Sequence, residues 1–359
     1  MVIDRLLKGF AARGHEVSLV CGGPVGEREY EVVAAGGTYT QYFKIPWVCF
    51  RRFNRADLII DSENGIPYFS PLWRRGPKVC LVHHVHTDQW ATRFPRPLAS
   101  VAREAEHRLI PAVYRRQLFV AVSSSTARAL EDLGVNTEQI RVIESGVDLP
   151  AGPRVAKSAE PLFVALTRLV PHKRVHMLLE AWRKVGPVVG GRFVVIGDGP
   201  ELGSLRRLAA NIPGVELTGW TEEDEKWRLL GAAWFLVNAS HHEGWGIAIM
   251  EAAAAGTPGL VVDAPGVRDC VVDGDTGVIV RAPTERDLPE AVARAWIELA
   301  ADPERRTRLG QASRARAADY SWDRVVERWI EVATEAVAFA RTTRSRKGTV
   351  PHRQRQYSR

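Results

Sequence analysis

The chain has 359 residues, 45% of them hydrophobic and 25% charged. These are ordinary globular values, and the length is enough for two cores. No apolar run reaches the roughly 18 residues of a membrane span. The opening MVIDRLLKGFAARGHE is amphipathic and lacks the pattern of a secretory signal. The net charge of +7 belongs to the end of the chain. Seven cations (Arg341, Arg344, Arg346, Lys347, Arg353, Arg355 and Arg359) and no acid lie there, leaving 42 basic residues against 42 acidic ones. Such a tail reads either as a solvated disordered end or as a contact for anionic lipid or nucleic acid. The basic segments lack the interleaved aromatics of a nucleic-acid face, so nucleic acid is not expected as a partner. The four cysteines are far apart and form no CxxC pair; they are expected to be reduced residues of a cytoplasmic protein.

In chain order, HEVSLV, ADLIID, KVCLVHH, LFVAVS and IRVIESG are strand candidates before residue 150. PLFVALTR, RFVVIGDG, VELTGW, FLVNAS, GLVVDA and GVIV follow. Most are near-continuous apolar runs, as in parallel strands covered on both faces. Helical patterns such as EKWRLLGAA and ERDLPEAVARAWIELA sit between them. This rhythm predicts an α/β protein of doubly wound sheets. The segment LPAGPRVAKSAEP, residues 149–161, has no periodicity and predicts a linker between two such domains. The expected division is a first domain over 1–148, a second over 149–318, a last helix over 319–340 with Ser321 at its start, and a disordered basic tail over 341–359.

Residues 241–259, HHEGWGIAIMEAAAAGTPG, place Glu243 and Glu251 around what otherwise reads as a buried helix. Gly256 suits a helix C-terminal cap and Pro258 prevents continuation, so the helix is expected from about Gly246 to Ala255. Glu243 then lies in the loop leaving the strand FLVNAS, at the ligand-binding edge of a doubly wound sheet. Free amides of Gly244, Trp245 and Gly246 at a helix N-terminus would favour an anion there. Carboxylates accept hydrogen bonds from hydroxyls. A phosphate with one carboxylate on each side describes a nucleotide-sugar. The alternative is two surface glutamates flanking a core helix.

A second cluster lies in LTRLVPHKRVHMLLEAW. Arg168 follows a strand and Lys173 comes five residues later, an arrangement able to clamp a diphosphate, although arginine and lysine also decorate many loops. VVIGDGPE puts Gly197 and Gly199 at another strand end, a phosphate- or base-side turn, but it is too short for a dinucleotide fingerprint.

Taken together these segments resemble the retaining GT-B glycosyltransferases of family four. EGWGIAIMEAAAAGTP matches that family's E-x7-E motif and ALTRLVPHKRV its diphosphate clamp; VVIGDGPE, LTGW, GVRDCVVDGDTGVIV and YSWDRV follow in the family's order. KGFAARGHEV and AVSSSTARALEDLGVNTEQIRVIESGVD extend the likeness over roughly residues 2–340. The resemblance implies that Glu243 contacts sugar hydroxyls, that Gly244 to Gly246 offer amides to the distal phosphate, and that Glu251 holds the ribose. It implies further that Arg168 and Lys173 neutralise the leaving diphosphate, that Gly219 and Trp220 lie beside the base, and that His83 faces the donor sugar. The last helix would cross back to the first domain. The family pattern also departs here: its first strand and Gly-rich loop are not found before the helix at Met1, Ser145 stands where asparagine is usual, and Asp269 where glutamate is common.

HHVHTD holds His83, His84, His86 and Asp88, which leaves open a metal, a polar contact to the donor, or plain structural histidines. Asp273-Gly274-Asp275 imitates a metal-binding DxD but reads as a loop. The expected protein is therefore a metal-independent transferase needing no cofactor. It would move a sugar from a GDP- or UDP-linked donor to an acceptor with retention. That acceptor is unknown, a lipid-linked or small-molecule glycoside being one possibility, with the basic tail as a contact to the inner face of the membrane. The alternatives are a nucleotide-sugar-binding protein without turnover and a GT-B epimerase.

Overall fold

A computed structural model describes residues 2–37, 39–63, 67–85, 96–150 and 152–348. The first half begins with α1 (Val2–Ala11), β1 (Ser18–Cys21), β2 (Glu31–Ala34), α2 (Gln41–Arg52), β3 (Ile59–Glu63), α3 (Ser70–Trp73) and β4 (Lys78–Val82). It continues with α4 (Arg96–Tyr114), β5 (Leu118–Ala121), α5 (Ser124–Asp132) and β6 (Ile140–Val142). Its strands form two separate parallel sheets, β1-β2 and β3-β4-β5-β6. The five strand candidates of this half are all strands. β2 was not foreseen: EVVA is a short strand, half-exposed and without alternation, so it carries little pattern.

The second half holds β7 (Leu162–Leu166), α6 (Val175–Val189), β8 (Arg192–Ile196), α7 (Leu202–Ala209), β9 (Val215–Gly219), α8 (Glu223–Ala232) and β10 (Phe235–Asn238). After these come α9 (Ile247–Ala254), β11 (Gly259–Val262), β12 (Gly277–Val280), α10 (Leu288–Ala300) and α11 (Pro303–Ala318). Six parallel strands in the order β12-β11-β10-β7-β8-β9 make one doubly wound sheet. β7, β8, β10 and β11 are buried almost throughout, which is why they read as unbroken apolar runs. An aromatic cluster fills the space under α6 and α10. The Trp296 ring lies 5.2 Å from Phe163, 5.4 Å from Trp182 and 5.1 Å from Phe193, within the range of favourable edge and offset contacts.

The last helix, α12 (Trp322–Gly348), starts directly after Ser321 and returns to the first half. Val326 packs against Gly9 of α1, Arg141 donates through Nε to Glu335 at 3.0 Å, and Arg13 pairs with Asp323 at 3.3 Å. The helix runs eight residues into the stretch expected to be disordered, ending at Gly348 rather than Ala340. Each added residue gains a backbone hydrogen bond at little cost once a helix exists. Residues 349–359 lie outside the described residues.

Candidate functional site

The candidate residues gather at the carboxyl edge of the six-stranded sheet. The chain leaves β7 through Thr167, whose amide donates to the Ile196 carbonyl at 3.0 Å, and the Leu169 amide donates to the Asp198 carbonyl at 2.9 Å. The loops after β7 and β8 thus lie side by side. Gly197 and Gly199 make this contact possible: a Cβ would stand 1.9 Å from the Thr167 oxygen at the first and 2.4 Å from the Leu169 oxygen at the second, both backbones having φ above +130°. Arg168 projects from this braced loop, exposed, and forms no ion pair among the described residues.

Lys173 ends a single 3-10 turn, Pro171–Lys173, before α6. The next residue, Arg174, has φ +51°, a left-handed conformation uncommon outside glycine. Its guanidinium pairs with Glu285 at 2.7 Å and contacts Nδ1 of His241. The turn therefore points Lys173 at the neighbouring loop, where Nζ meets Glu243 Oε1 at 2.5 Å; the two side chains are 13% and 15% exposed. Glu243 also accepts from Ser240 Oγ at 2.9 Å, and its amide donates to the Pro265 carbonyl at 2.9 Å. The carboxylate foreseen as a sugar contact and the cation foreseen in the clamp are one ion pair.

Imidazoles surround it. His172 stacks on His242 at 5.0 Å, and His84, from the first half, lies 5.9 Å from His242. Burial, followed by the positive charge of Lys173, depresses the pKa of His172 to about 4, so this ring is neutral at physiological pH. Burial also lowers the pKa of His83, whose Nε2 lies 3.2 Å from Ser62 Oγ. The two halves touch here: a Cβ on Gly244 would come 2.2 Å from the His83 carbonyl oxygen. Asp269 makes a second bridge, accepting from the Ser125 amide at 3.3 Å and the Gly266 amide at 3.0 Å.

The helix in HHEGWGIAIMEAAAAGTPG spans Ile247–Ala254, with Gly246 before it and Gly256, φ +76°, after it. Among the described residues the amides of Gly244 and Trp245 donate to no acceptor. The Gly246 amide is different from the expectation: it donates to Cys270 Sγ at 3.2 Å. This thiol is fully buried, and burial raises its pKa, so it offers a soft neutral acceptor in place of an anion. The Trp245 side chain is buried, 5.2 Å from the Tyr320 ring, and what it could give a ligand is its backbone amide. Glu251 is also not an open carboxylate. It is 8% exposed and pairs at 2.8 Å with Lys226, which holds Glu223 at 2.6 Å as well. Burial pushes the Glu251 carboxyl up in pKa, with Lys226 opposing. Gly219 closes β9 and accepts from the Gly197 amide at 3.0 Å; Trp220 beside it is 70% exposed.

Lys226, Cys270, Arg174 and His242 are neighbours that the sequence reading did not assign. Only Lys226 left a signal, as a lysine within an acidic first helical turn, EEDEK. Asp273 serves its own loop: it accepts from the Ile279 amide at 2.9 Å and pairs with Arg281 at 2.9 Å. These partners outweigh burial and hold its carboxyl below the usual range. No cluster of His, Cys, Asp and Glu able to hold a metal ion occurs among the described residues; His86 and Asp88 lie outside them. All four cysteines are free.

Two family profiles match. "Glycosyl transferases group 1" covers residues 153–316, and "Glycosyltransferase Family 4" covers residues 1–150. A D-inositol 3-phosphate glycosyltransferase of Nocardia farcinica is 30% identical over 289 residues, 72% of this chain and 62% of that protein. A GDP-mannose-dependent alpha-(1-6)-phosphatidylinositol monomannoside mannosyltransferase of Mycobacterium tuberculosis is 30% identical over 247 residues, 64% of this chain and 60% of that protein. The chain spans 62% to 65% of the length of the first curated relatives it matches. Among solved structures, a sucrose-phosphate synthase from Thermosynechococcus elongatus superposes with a TM-score of 0.77 at 17% identity, covering 94% of this chain and 92% of that one. Anabaena HepE, in complex with UDP and glucose, superposes with a TM-score of 0.74 at 16% identity, covering 93% and 95%. The fold is GT-B, two Rossmann-like domains with parallel sheets, and the chain belongs to the group 1 glycosyltransferases of family four.

Proposed function

We propose that the protein transfers a hexosyl group from a nucleotide diphosphate sugar to an acceptor, with retention of anomeric configuration and without a metal ion. The observation that carries this reading is the juxtaposition of the exposed Arg168, the Lys173–Glu243 pair and the unengaged amides of Gly244 and Trp245 at one sheet edge. In glycosyl transfer, negative charge builds on the departing diphosphate while the anomeric carbon becomes cationic. Fixed cations and helix-end amides aimed at that anion lower the barrier. Glu243 would turn from Lys173 toward sugar hydroxyls as the phosphate takes the lysine. Glu251, held by Lys226, would receive the ribose hydroxyls, and Trp220 would offer its exposed face to the base. His83, neutral, would face the sugar from the first domain.

Residues 1–148 would then hold the acceptor and 149–318 the donor. The donor is a UDP- or GDP-linked sugar, the two kinds named among the similar proteins. The free cysteines fit a reducing, cytoplasmic compartment, and no helix among the described residues is long and apolar enough to cross a membrane. The test is product analysis with labelled UDP- and GDP-sugars, using NMR of the anomeric proton, with and without EDTA. Transfer with retained configuration that survives EDTA supports the reading. Binding without turnover, or epimerised donor as the product, overturns it.

A further inference from the structure

The surface of α2 carries a feature that the transfer reaction does not use. Phe43, Trp47 and Phe50 are 82%, 60% and 60% exposed, and Tyr39, just before the helix, is 79% exposed. No other stretch of twelve residues exposes more than one large hydrophobic side chain among the described residues. Positions 43, 47 and 50 follow the i, i+4, i+7 rule and share one helical face. Ile45, on the opposite face, is buried. The helix is therefore already seated on the protein through one side and presents an aromatic stripe on the other.

Cations flank the stripe. Lys44 and Arg51 are exposed, seven positions apart and so on one line beside the aromatics. The Arg51 guanidinium lies 5.2 Å over the Trp47 ring. Between Glu31 and Asp57 the sequence holds Lys44, Arg51, Arg52 and Arg55 and no acid. Arg52 is engaged with Glu31 at 2.5 Å, leaving Lys44, Arg51 and Arg55 to face outward. Aromatic rings with basic neighbours on one face of a surface helix match the two components of a lipid interface. Rings settle at the headgroup level, and cations meet anionic headgroups. A buried protein partner would leave these cations needing carboxylates, whereas an anionic bilayer supplies the charge as a continuous surface.

We propose that α2 docks the protein on anionic membrane, with Tyr39, Phe43, Trp47 and Phe50 in the headgroup layer and Lys44 and Arg51 on lipid phosphates. This assigns membrane contact to the first domain, in place of the basic tail. The start of α2 adjoins the carboxyl edge of β1: the Gln41 side chain lies where a Cβ of Gly22 would be, 2.3 Å away. Docking through α2 therefore holds that sheet edge near the bilayer. The proposal is independent of which sugar is transferred.

The test is co-sedimentation of the full chain with vesicles of phosphatidylcholine alone and of phosphatidylcholine mixed with phosphatidylglycerol. The wild type is expected to bind the mixed vesicles and to lose binding as salt rises. The triple variant F43S/W47S/F50S should no longer bind. K44E/R51E should bind roughly tenfold or more weakly, since each cation near an anionic surface is worth about a fivefold change. Because all five side chains are exposed, both variants should keep the wild-type melting temperature. Variants that neutralise the cations of residues 341–359 should bind as wild type. Three results would overturn the proposal: no binding of the wild type to mixed vesicles; equal binding by the triple variant; or a wild-type dimer, dispersed by the triple substitution, with no vesicle binding, which would make the stripe a contact between copies.

Discussion

Lys173 Nζ and Glu243 Oε1 stand 2.5 Å apart and join the loop after β7 to the loop after β10. Neither side chain is more than 15% exposed, so each neutralises a charge that would be costly to leave alone in that position. Under the proposed function, a diphosphate held by Arg168 and Lys173 would exchange one partner of this pair.

The first prediction follows from this exchange. Arg168→Ala and Lys173→Ala should each lower transfer by ~10²-fold or more, since a preorganised charge on a developing anion contributes roughly 2–4 kcal/mol. Their stabilities should differ. Arg168 is exposed and Arg168→Ala should leave the melting temperature unchanged, whereas Lys173→Ala leaves Glu243 half-satisfied by Ser240 and should lower it. Steady-state kinetics and thermal melts on the two variants check this; wild-type rates in both would remove the clamp from the mechanism.

Gly244 supplies the second. A methyl group there would collide with the His83 carbonyl oxygen, backbone against backbone. Gly244→Ala should push the two halves apart without disturbing either core. Small displacements at a reacting centre cost up to ~10² in rate, so transfer should fall at least about tenfold while nucleotide binding to the second half persists. Small-angle scattering should show a larger radius of gyration than wild type. An unchanged radius with unchanged rate would mean the contact is not needed.

The third concerns pH. The pKa of His172 is depressed by burial and by Lys173 to about 4, and that of His83 is depressed in the same direction by burial. Between pH 4 and the ordinary 6.5 of a histidine, the unfolded chain binds more protons than the native one, so stability rises with pH across that window. Above 6.5 neither state is protonated and these groups add no slope. Denaturant midpoints should therefore be level from 7 to 8 and fall as pH drops from 6.5 toward 4. His172→Gln should flatten part of that fall; the same slope in that variant would show the acid sensitivity to lie elsewhere.

Most of the second half was legible because parallel strands covered on both faces leave nearly pure apolar runs, as in LFVAL and FLVN, and because Gly256 and Pro258 mark a helix end in any context. The site's elements were readable for the same reason: loops at strand ends are fixed by where the strands stop. The partners were not. Glu251 against Lys226, and the Gly246 amide on Cys270, join residues 25 and 24 positions apart through packing of separate helices and loops, and no local periodicity encodes such pairs. β2 escaped because a short, half-exposed strand shows neither alternation nor an apolar run. The length of α12 escaped because its last turns are polar all round, and composition alone pointed to disorder.

The fourth prediction concerns how stability is distributed. The second half has one six-stranded sheet with β7, β10 and β11 buried on both faces and Trp296 seated among Phe163, Trp182 and Phe193. In the first half β1 and β2 form a sheet of two, and neither strand has a fully buried residue. A pair of parallel strands gains little from packing on its own and opens at a lower free energy than a covered central strand. Hydrogen exchange on the native chain should find the amides of β7, β8, β10 and β11 slowest and those of β1 and β2 fastest among the strands. Trp296→Ala, which removes a fully buried indole at a cost of about 3–5 kcal/mol, should accelerate exchange across the six-stranded sheet while leaving β1 and β2 as they were. UDP or GDP should slow exchange in residues 167–174 and 243–247 without reaching β1. Equal protection of β1 and β7 would show that the two sheets of the first half are stabilised as one with the rest of the molecule, and a nucleotide effect confined to the first half would overturn the placement of the donor on the second.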